Sequence, residues 1–377
     1  MKRITRALAS ITAGVMLLSG CAQLELNQEV DDFPEFTAWT TYGTGTSTYA
    51  DLAAAANTIS TEEDAQIRIL TSDTAVGRLS PLRNKQAVMS RTGDEYMFSF
   101  HGEEDFTTAD WGPQDLRIVW APTGPHAMMT RTNTGIETPM DLAGKKVPRI
   151  TANPSVNNKF DAYLAYAGLT WDDVVPVEVA YSEQPGALQA GKIDVLFQQV
   201  YGSSLYELES AVDTAWVALD PEETERIAAL QEVAPAVEVG PFEGAAGQEE
   251  GQTDNGFIYP LPIVAYEEVS DSQAYYTANA FQEHYPLYKD ATATTENWDI
   301  EHVVKMPTQV PFHDGTVQFL EENGAWTEEA EQRNQELIAY GEEMRETWPD
   351  FLEQADASGD LKQQWIEWKD EQLEPID

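Results

Sequence analysis

Catalytic or metal chemistry in this chain would have to be built from five histidines, one cysteine and 65 acidic residues. His101, His126, His284, His302 and His313 show no HExxH pattern and no metal-ligand spacing. The single cysteine, Cys21, has no second thiol to pair with. No GxSxG nucleophile elbow occurs. With so many carboxylates, pairs of acids arise by chance, so they do not argue for glycosidase chemistry. No enzymatic activity, cofactor or metal is expected, and the chemistry left is that of binding.

Hydroxyl and amide side chains are placed more suggestively. Residues 43–48 (GTGTST) follow a strand-like run and precede a helical one, and the same device recurs at 71–74 (TSDT) and 152–157 (ANPSVN). At such junctions free helix N–H groups and the helix dipole favour an anion, although a plain N-cap explains each loop equally well. Ligands of open α/β sheets bind at the C-terminal ends of strands. The candidate ligand-binding residues are therefore Thr46, Ser47, Thr48, Tyr49, Ser72, Asp73, Asn153, Ser155 and Asn157, with Phe197 and Gln198 after a later strand. The Tyr49 ring covers the ligand or packs on its own domain. Asp73 would repel a carboxylate and suits a ligand amine. Arg78 and Arg91 are candidate anion partners or surface charges, and His313 reads as a cap rather than a contact.

The elements that position these residues alternate short apolar runs with amphipathic stretches, which argues for an α/β fold. Strands are expected at 36–42, 67–70, 116–122, 175–179, 193–197 and, interrupted by prolines, 257–266, with helices at 49–59, 74–82, 158–167 and 183–190, while 140–150 reads as a short helix, a Gly stop and a strand. Two such halves suit a chain of 377 residues. Residues 235–255 are rich in Gly, Pro and Glu and read as a surface loop. Stripes of Tyr340, Met344, Trp348 and Phe351, then of Leu361, Trp365 and Trp368, predict C-terminal helices that dock on the first half, with Pro349 marking a break.

A net charge of −43, from 22 Lys+Arg against 65 Asp+Glu, argues against nucleic acid and anionic membrane surfaces as partners. Ten Trp, fifteen Tyr and thirteen Phe distinguish the chain from a disordered acidic segment. Self-repulsion of this size is screened within roughly 3 Å at about 1 M salt, which points to a halophilic setting.

Residues 1–20 carry Lys2, Arg3 and Arg6 ahead of a short apolar stretch, as in a signal peptide, and 18–21 (LSGC) resembles a bacterial lipobox. Lipid on Cys21 is the expected membrane attachment, with 21–35 as a linker and an extracytoplasmic location.

Residues 43–50 (GTGTSTYA), 136–147 (IETPMDLAGKKV), 163–174 (YLAYAGLTWDDV), 187–197 (ALQAGKIDVLF) and 311–326 (PFHDGTVQFLEENGAW) together resemble the TAXI-type solute receptors of TRAP (tripartite ATP-independent periplasmic) transporters. His313-Asp314-Gly315 stands where that family has His-Pro-Gly, and 153–157 (NPSVN) replaces its Gly-Ser-Gly-Thr type loop. The resemblance implies a two-domain, type II periplasmic-binding-protein-like fold with crossing strands at the hinge. Here the domains would span 36–125 plus 256–325 and 126–234, followed by helices over 326–377. It further implies capture of a small organic acid or amino acid, glutamate-like or dicarboxylate, and delivery to a TRAP membrane permease. A sensor feeding a membrane kinase is the alternative on the same fold.

Overall fold

The computed structural model describes residues 24, 26–356, 358–374 and 376; the expected signal peptide (1–20) and Cys21 lie outside the described residues. The described chain runs β1 (Phe36–Thr41), α1 (Ser47–Glu62), β2 (Gln66–Thr71), α2 (Ala75–Arg83), β3 (Met89–Arg91), α3 (Glu95–His101) and β4 (Leu116–Trp120). It continues through β5 (Thr123–Arg131), β6 (Lys146–Ile150), α4 (Pro154–Ala167), β7 (Val175–Val179), α5 (Gln184–Gln189), β8 (Val195–Gln199), α6 (Ser203–Glu209), β9 (Thr214–Trp216) and α7 (Thr224–Val233). The remainder is β10 (Glu238–Glu243), β11 (Thr253–Pro260), β12 (Ile263–Tyr266), α8 (Asp271–Glu283), α9 (Tyr285–Tyr288), α10 (Asp314–Glu322), α11 (Glu328–Gln354) and α12 (Leu361–Gln372). Among the described residues, no helix is long and apolar enough to cross a membrane.

Two α/β lobes result, each around its own hydrophobic core. In lobe 1 the sheet order is β2-β1-β3-β12-β4, with β1 parallel to β2 and β3, and β12 antiparallel to β3 and β4. Lobe 2 carries the order β10-β11-β5-β8, with β9 also on β5, beside the parallel pair β6-β7. The β6-β7 pair reaches β8 through the Asp194 N–H, which donates to the Lys146 carbonyl at 2.8 Å. An antiparallel strand inserted into a sheet that otherwise begins with parallel βαβ units marks lobe 1 as the expected type II arrangement.

The chain leaves lobe 1 between β4 and β5 through Ala121-Pro122 and returns between β11 and β12 through Leu261-Pro262. The two crossings touch where the Leu261 N–H donates to the Pro122 carbonyl at 3.0 Å. Proline fixes φ at each crossing and offers no N–H to a sheet, so both sheets stop there. The lobe boundaries thus fall at 121–123 and 261–262, a few residues from the expected 125 and 256.

Three sequence expectations need correction. Residues 235–255 are not a surface loop: β10 pairs antiparallel with β11 and extends the lobe 2 sheet, burying Val237, Phe242 and Ala246. The expected linker does not hang free where it is described, because Leu26 and Phe33 are buried in the lobe 1 core and the Val30 N–H donates to Ser272 Oγ at 2.8 Å. Pro349 does not end a helix; α11 runs through it. Its ring faces solvent while Trp348 and Phe351 are buried on either side, so packing offsets the lost backbone bond. The C-terminal helices dock on lobe 1: Trp365 is buried against Trp348 and Phe351, and its Nε1–H donates to the His101 carbonyl at 2.8 Å.

Candidate functional site between the lobes

All three suspected helix starts are capped. Thr46 Oγ1 accepts from the Tyr49 N–H at 3.1 Å, and Asn153 Oδ1 accepts from the Val156 N–H at 3.2 Å. On α2 the cap is Thr74, whose Oγ1 accepts from the Gly77 N–H at 3.1 Å, while Ser72 Oγ supports it by accepting from the Thr74 N–H at 3.3 Å. These side chains therefore serve the helices first.

The same loops nevertheless meet across the lobes. Thr48 Oγ1 donates to Gln199 Oε1 at 3.0 Å, and the Ser204 N–H donates to the Gly45 carbonyl at 3.3 Å. Asn153 Nδ2 donates to the Asp73 carbonyl at 3.0 Å, and Ser182 donates to Asp73 Oδ2 through both its N–H and its hydroxyl. The Ala75 N–H, at the start of α2, donates to the carbonyl of Ala152 at 3.0 Å. Ser155 Oγ accepts from the Asp94 N–H at 2.9 Å, and Lys159 pairs with Asp94. The lobes are closed on one another along this seam. Gly93 lies at its centre, where an added Cβ would sit 2.5 Å from Ser155 Oγ and 2.6 Å from the Tyr42 hydroxyl.

Behind the seam, charged and aromatic side chains from both lobes pack into a buried cluster, the chamber. Arg78 is fully buried; its Nε donates to Glu95 Oε1 at 2.6 Å and its Nη1 to the Ser72 carbonyl at 2.8 Å. The guanidinium stacks 3.7 Å from the centroid of the Tyr42 ring, and Nη2 is left without a partner. Burial opposes the Arg78 charge, but Glu95 and then Tyr42 outweigh it and hold the pKa above its ordinary value. Tyr181, from lobe 2, lies 5.1 Å from Tyr42, and Lys159 Nζ sits 4.7 Å from the Tyr259 ring centroid. Burial lifts the pKa of all three tyrosines, so each hydroxyl keeps its proton. The Tyr42 hydroxyl donates to Glu95 Oε2 at 3.4 Å, whereas those of Tyr181 and Tyr259 have no protein partner among the described residues. Burial raises the Asp94 pKa and Lys159 offsets this only in part. His126, stacked on Phe197 and 4.6 Å from Tyr259, is pushed down to about 3 by burial.

Of the expected site residues, the seam gathers Thr48, Asp73, Asn153 and Ser155, and Arg78 enters the chamber. Ser47 is buried beside the Gly202 turn, and Thr46 and Ser72 act through the caps. Tyr49 is half-buried and contributes its N–H to the Thr46 cap. Gln198 is buried in lobe 2, with Nε2 donating to the Tyr181 carbonyl at 3.3 Å. Two residues lie elsewhere. The Phe197 ring belongs to the lobe 2 core, among Phe160, Tyr163 and Phe257. The Asn157 amide closes a brace on both backbone groups of Ile150. Asp73 Oδ2 is engaged by the Ser182 N–H and hydroxyl across the seam. Arg91 is buried in lobe 1 between Asp51, the Thr48 carbonyl and Trp298. Sequence reading missed Tyr42, Glu95, Asp94, Lys159, Tyr181, Gln199 and Tyr259, which come from six separate places in the chain, Asp94 and Glu95 being neighbours.

A family model described as the NMT1-like family matches residues 40–324. The chain belongs to the NMT1-like family. The matched region of this NMT1-like protein holds lobe 2, both crossings, every chamber residue and lobe 1 from the end of β1 onward, and it ends before α11 and α12. No curated protein matches the sequence at a significant level. Among solved structures, the chain is similar to the alkanesulfonate-binding protein SsuA from Xanthomonas axonopodis pv. citri bound to MOPS, with 13% identity, 80% of this chain and 83% of that one covered, and a TM-score of 0.45. It is also similar to the periplasmic aliphatic sulphonate binding protein SsuA from Escherichia coli (13% identity, 80% and 92% covered, TM-score 0.39). A third is a binding protein component of an ABC phosphonate transporter from Pseudomonas aeruginosa (10% identity, 85% and 99% covered, TM-score 0.41).

Proposed function

We propose that this NMT1-like protein is an extracytoplasmic solute-binding receptor that encloses a small organic acid or amino acid between its lobes and delivers it to the membrane subunits of a TRAP-type transporter. The observation that carries this reading is Arg78, fully buried at the lobe interface with Nη2 unpartnered. An unsatisfied buried donor on a charged group is costly and asks for an acceptor. The Tyr181 and Tyr259 hydroxyls add two further donors, and a carboxylate supplies acceptors to all three. Arg78 and Lys159 are already balanced by Glu95 and Asp94, so the chamber is close to neutral. A zwitterion suits it better than a bare dianion, its ammonium group turning to Glu95.

Hinge motion at 121–123 and 261–262 would open the seam, and contacts from both lobes would shift the population to the closed form. With a net charge of −43, long-range attraction of an anion is unavailable, so capture rests on local donors. The same charge suits molar salt, and lipid on Cys21 would hold the receptor at the membrane.

A thermal-shift screen of organic and amino acids in molar salt tests the proposal. A ligand at about 100 times its Kd adds about 2.7 kcal/mol, which raises Tm on the order of 5 °C. If no organic or amino acid raises the Tm of the folded protein, the reading fails.

A further inference from the structure

The Asp94–Lys159 pair also borders a separate cavity of about 190 Å³, lined from both lobes. Lobe 1 contributes Asp94, Met97, Phe98 and Glu103, and lobe 2 contributes Lys159, Val233 and Ala236. The volume has room for roughly six waters, or for an organic molecule of about that many heavy atoms. Met97, Phe98, Val233 and Ala236 make most of its wall apolar.

Its charges are unequal. The Lys159 ammonium is committed to Asp94 Oδ2, to Asn158 Oδ1 at 3.2 Å and to the face of Tyr259. Asp94 and Glu103 each use one carboxylate oxygen, on Lys159 and Lys369, and keep the other free. His101, also on the wall, has Nε2 3.1 Å from the Gln309 carbonyl, and burial pushes its pKa down to about 4, so it adds no positive charge near neutrality. The uncommitted charged atoms are all carboxylate oxygens. The chamber behind Arg78 offers donors, whereas this cavity offers acceptors.

We infer that this cavity is a second ligand site, taking a small apolar molecule that ends in an ammonium group. Its apolar part fills the space between Phe98 and Val233, and its ammonium meets the free oxygens of Asp94 and Glu103. Because the walls belong to both lobes, an occupant favours the closed arrangement.

The test uses the full chain with methyl-labelled methionine in molar NaCl, where general attraction to the acidic surface is screened. The Met97 methyl resonance, assigned with Met97→Leu, is followed during titration with n-butylammonium. It is expected to move saturably, with methylammonium and n-butanol each at least tenfold weaker. Ala236→Phe, which fills the cavity from its half-buried rim, is expected to weaken butylammonium at least tenfold with Tm nearly unchanged. Glu103→Gln is expected to weaken it severalfold. A Met97 signal that does not move, butanol or butanoate matching butylammonium, or undiminished affinity in Ala236→Phe would overturn the assignment.

Discussion

Replacing Arg78 by Met separates the structural part of the chamber from its chemistry. Arg78 and Glu95 are 2.6 Å apart, and neither side chain is exposed at all. Removing the guanidinium leaves Glu95 as a buried, unpaired carboxylate, a change that costs about 3–5 kcal/mol. Loss of the stack on Tyr42 adds about 1–2 kcal/mol. Removing the second charge as well, in Arg78→Met with Glu95→Gln, should recover most of this and bring the protein within about 2 kcal/mol of the wild type. The coupling energy in the cycle is then at least about 2 kcal/mol. Urea unfolding at pH 7.5 in constant molar salt gives the four stabilities. A cost below about 1 kcal/mol for Arg78→Met, or additivity of the two substitutions, would refute the placement of this pair in a dry chamber.

Other predictions concern closure, acid stability and the C-terminal helices. Gly93→Ala puts a Cβ within 2.6 Å of atoms from Tyr42 and Ser155, so it should hold the lobes apart, raising the radius of gyration in solution scattering while leaving the Tm of each lobe near its original value. An unchanged radius would remove Gly93 from the closure account. His126 and His101, held neutral by burial with pKa values pushed down to about 3 and about 4, stabilise the fold above their unfolded pKa near 6.5. That stability is lost as pH falls from about 6.5 toward those values, on the order of 2 kcal/mol per histidine at pH 5, so His126→Phe should flatten the urea midpoint between pH 7 and pH 5. Trp365→Ala removes a fully buried ring packed on Trp348 and Phe351 and should cost about 3–5 kcal/mol by denaturant titration; a cost near zero would mean that α12 does not dock.

The architecture was legible because its signals are local. Strand-loop-helix units, the Thr46 and Asn153 caps and the apolar stripes of α11 and α12 each sit within a dozen residues, and local patterning reports them well. The hairpin of β10 and β11 was hidden by composition: Gly240, Pro241 and Gly244 suggested a loop, while Val237 and Phe242 carried the inward face. The chamber was hidden for a different reason. Tyr42, Glu95, Tyr181 and Tyr259 are far apart in sequence, none has a motif around it, and the lobe 1 pair meets the lobe 2 pair only where the lobes close on one another. Arg78 was legible as a charge near a helix start, but its burial against Tyr42 was not. Phe197 looked like a cleft residue because it ends a strand, yet the same apolar run, Val195 to Phe197, is what a strand buried on both faces requires.

The central claim is that a carboxylate is held between the lobes by Arg78. Its most direct test is equilibrium binding, by calorimetry in molar salt, of the best carboxylate from the thermal-shift screen to the wild type and to the folded Arg78→Met, Glu95→Gln double variant. The account predicts clear saturable binding to the wild type and at least a hundredfold loss in the double variant. Equal affinity in the two proteins would contradict it.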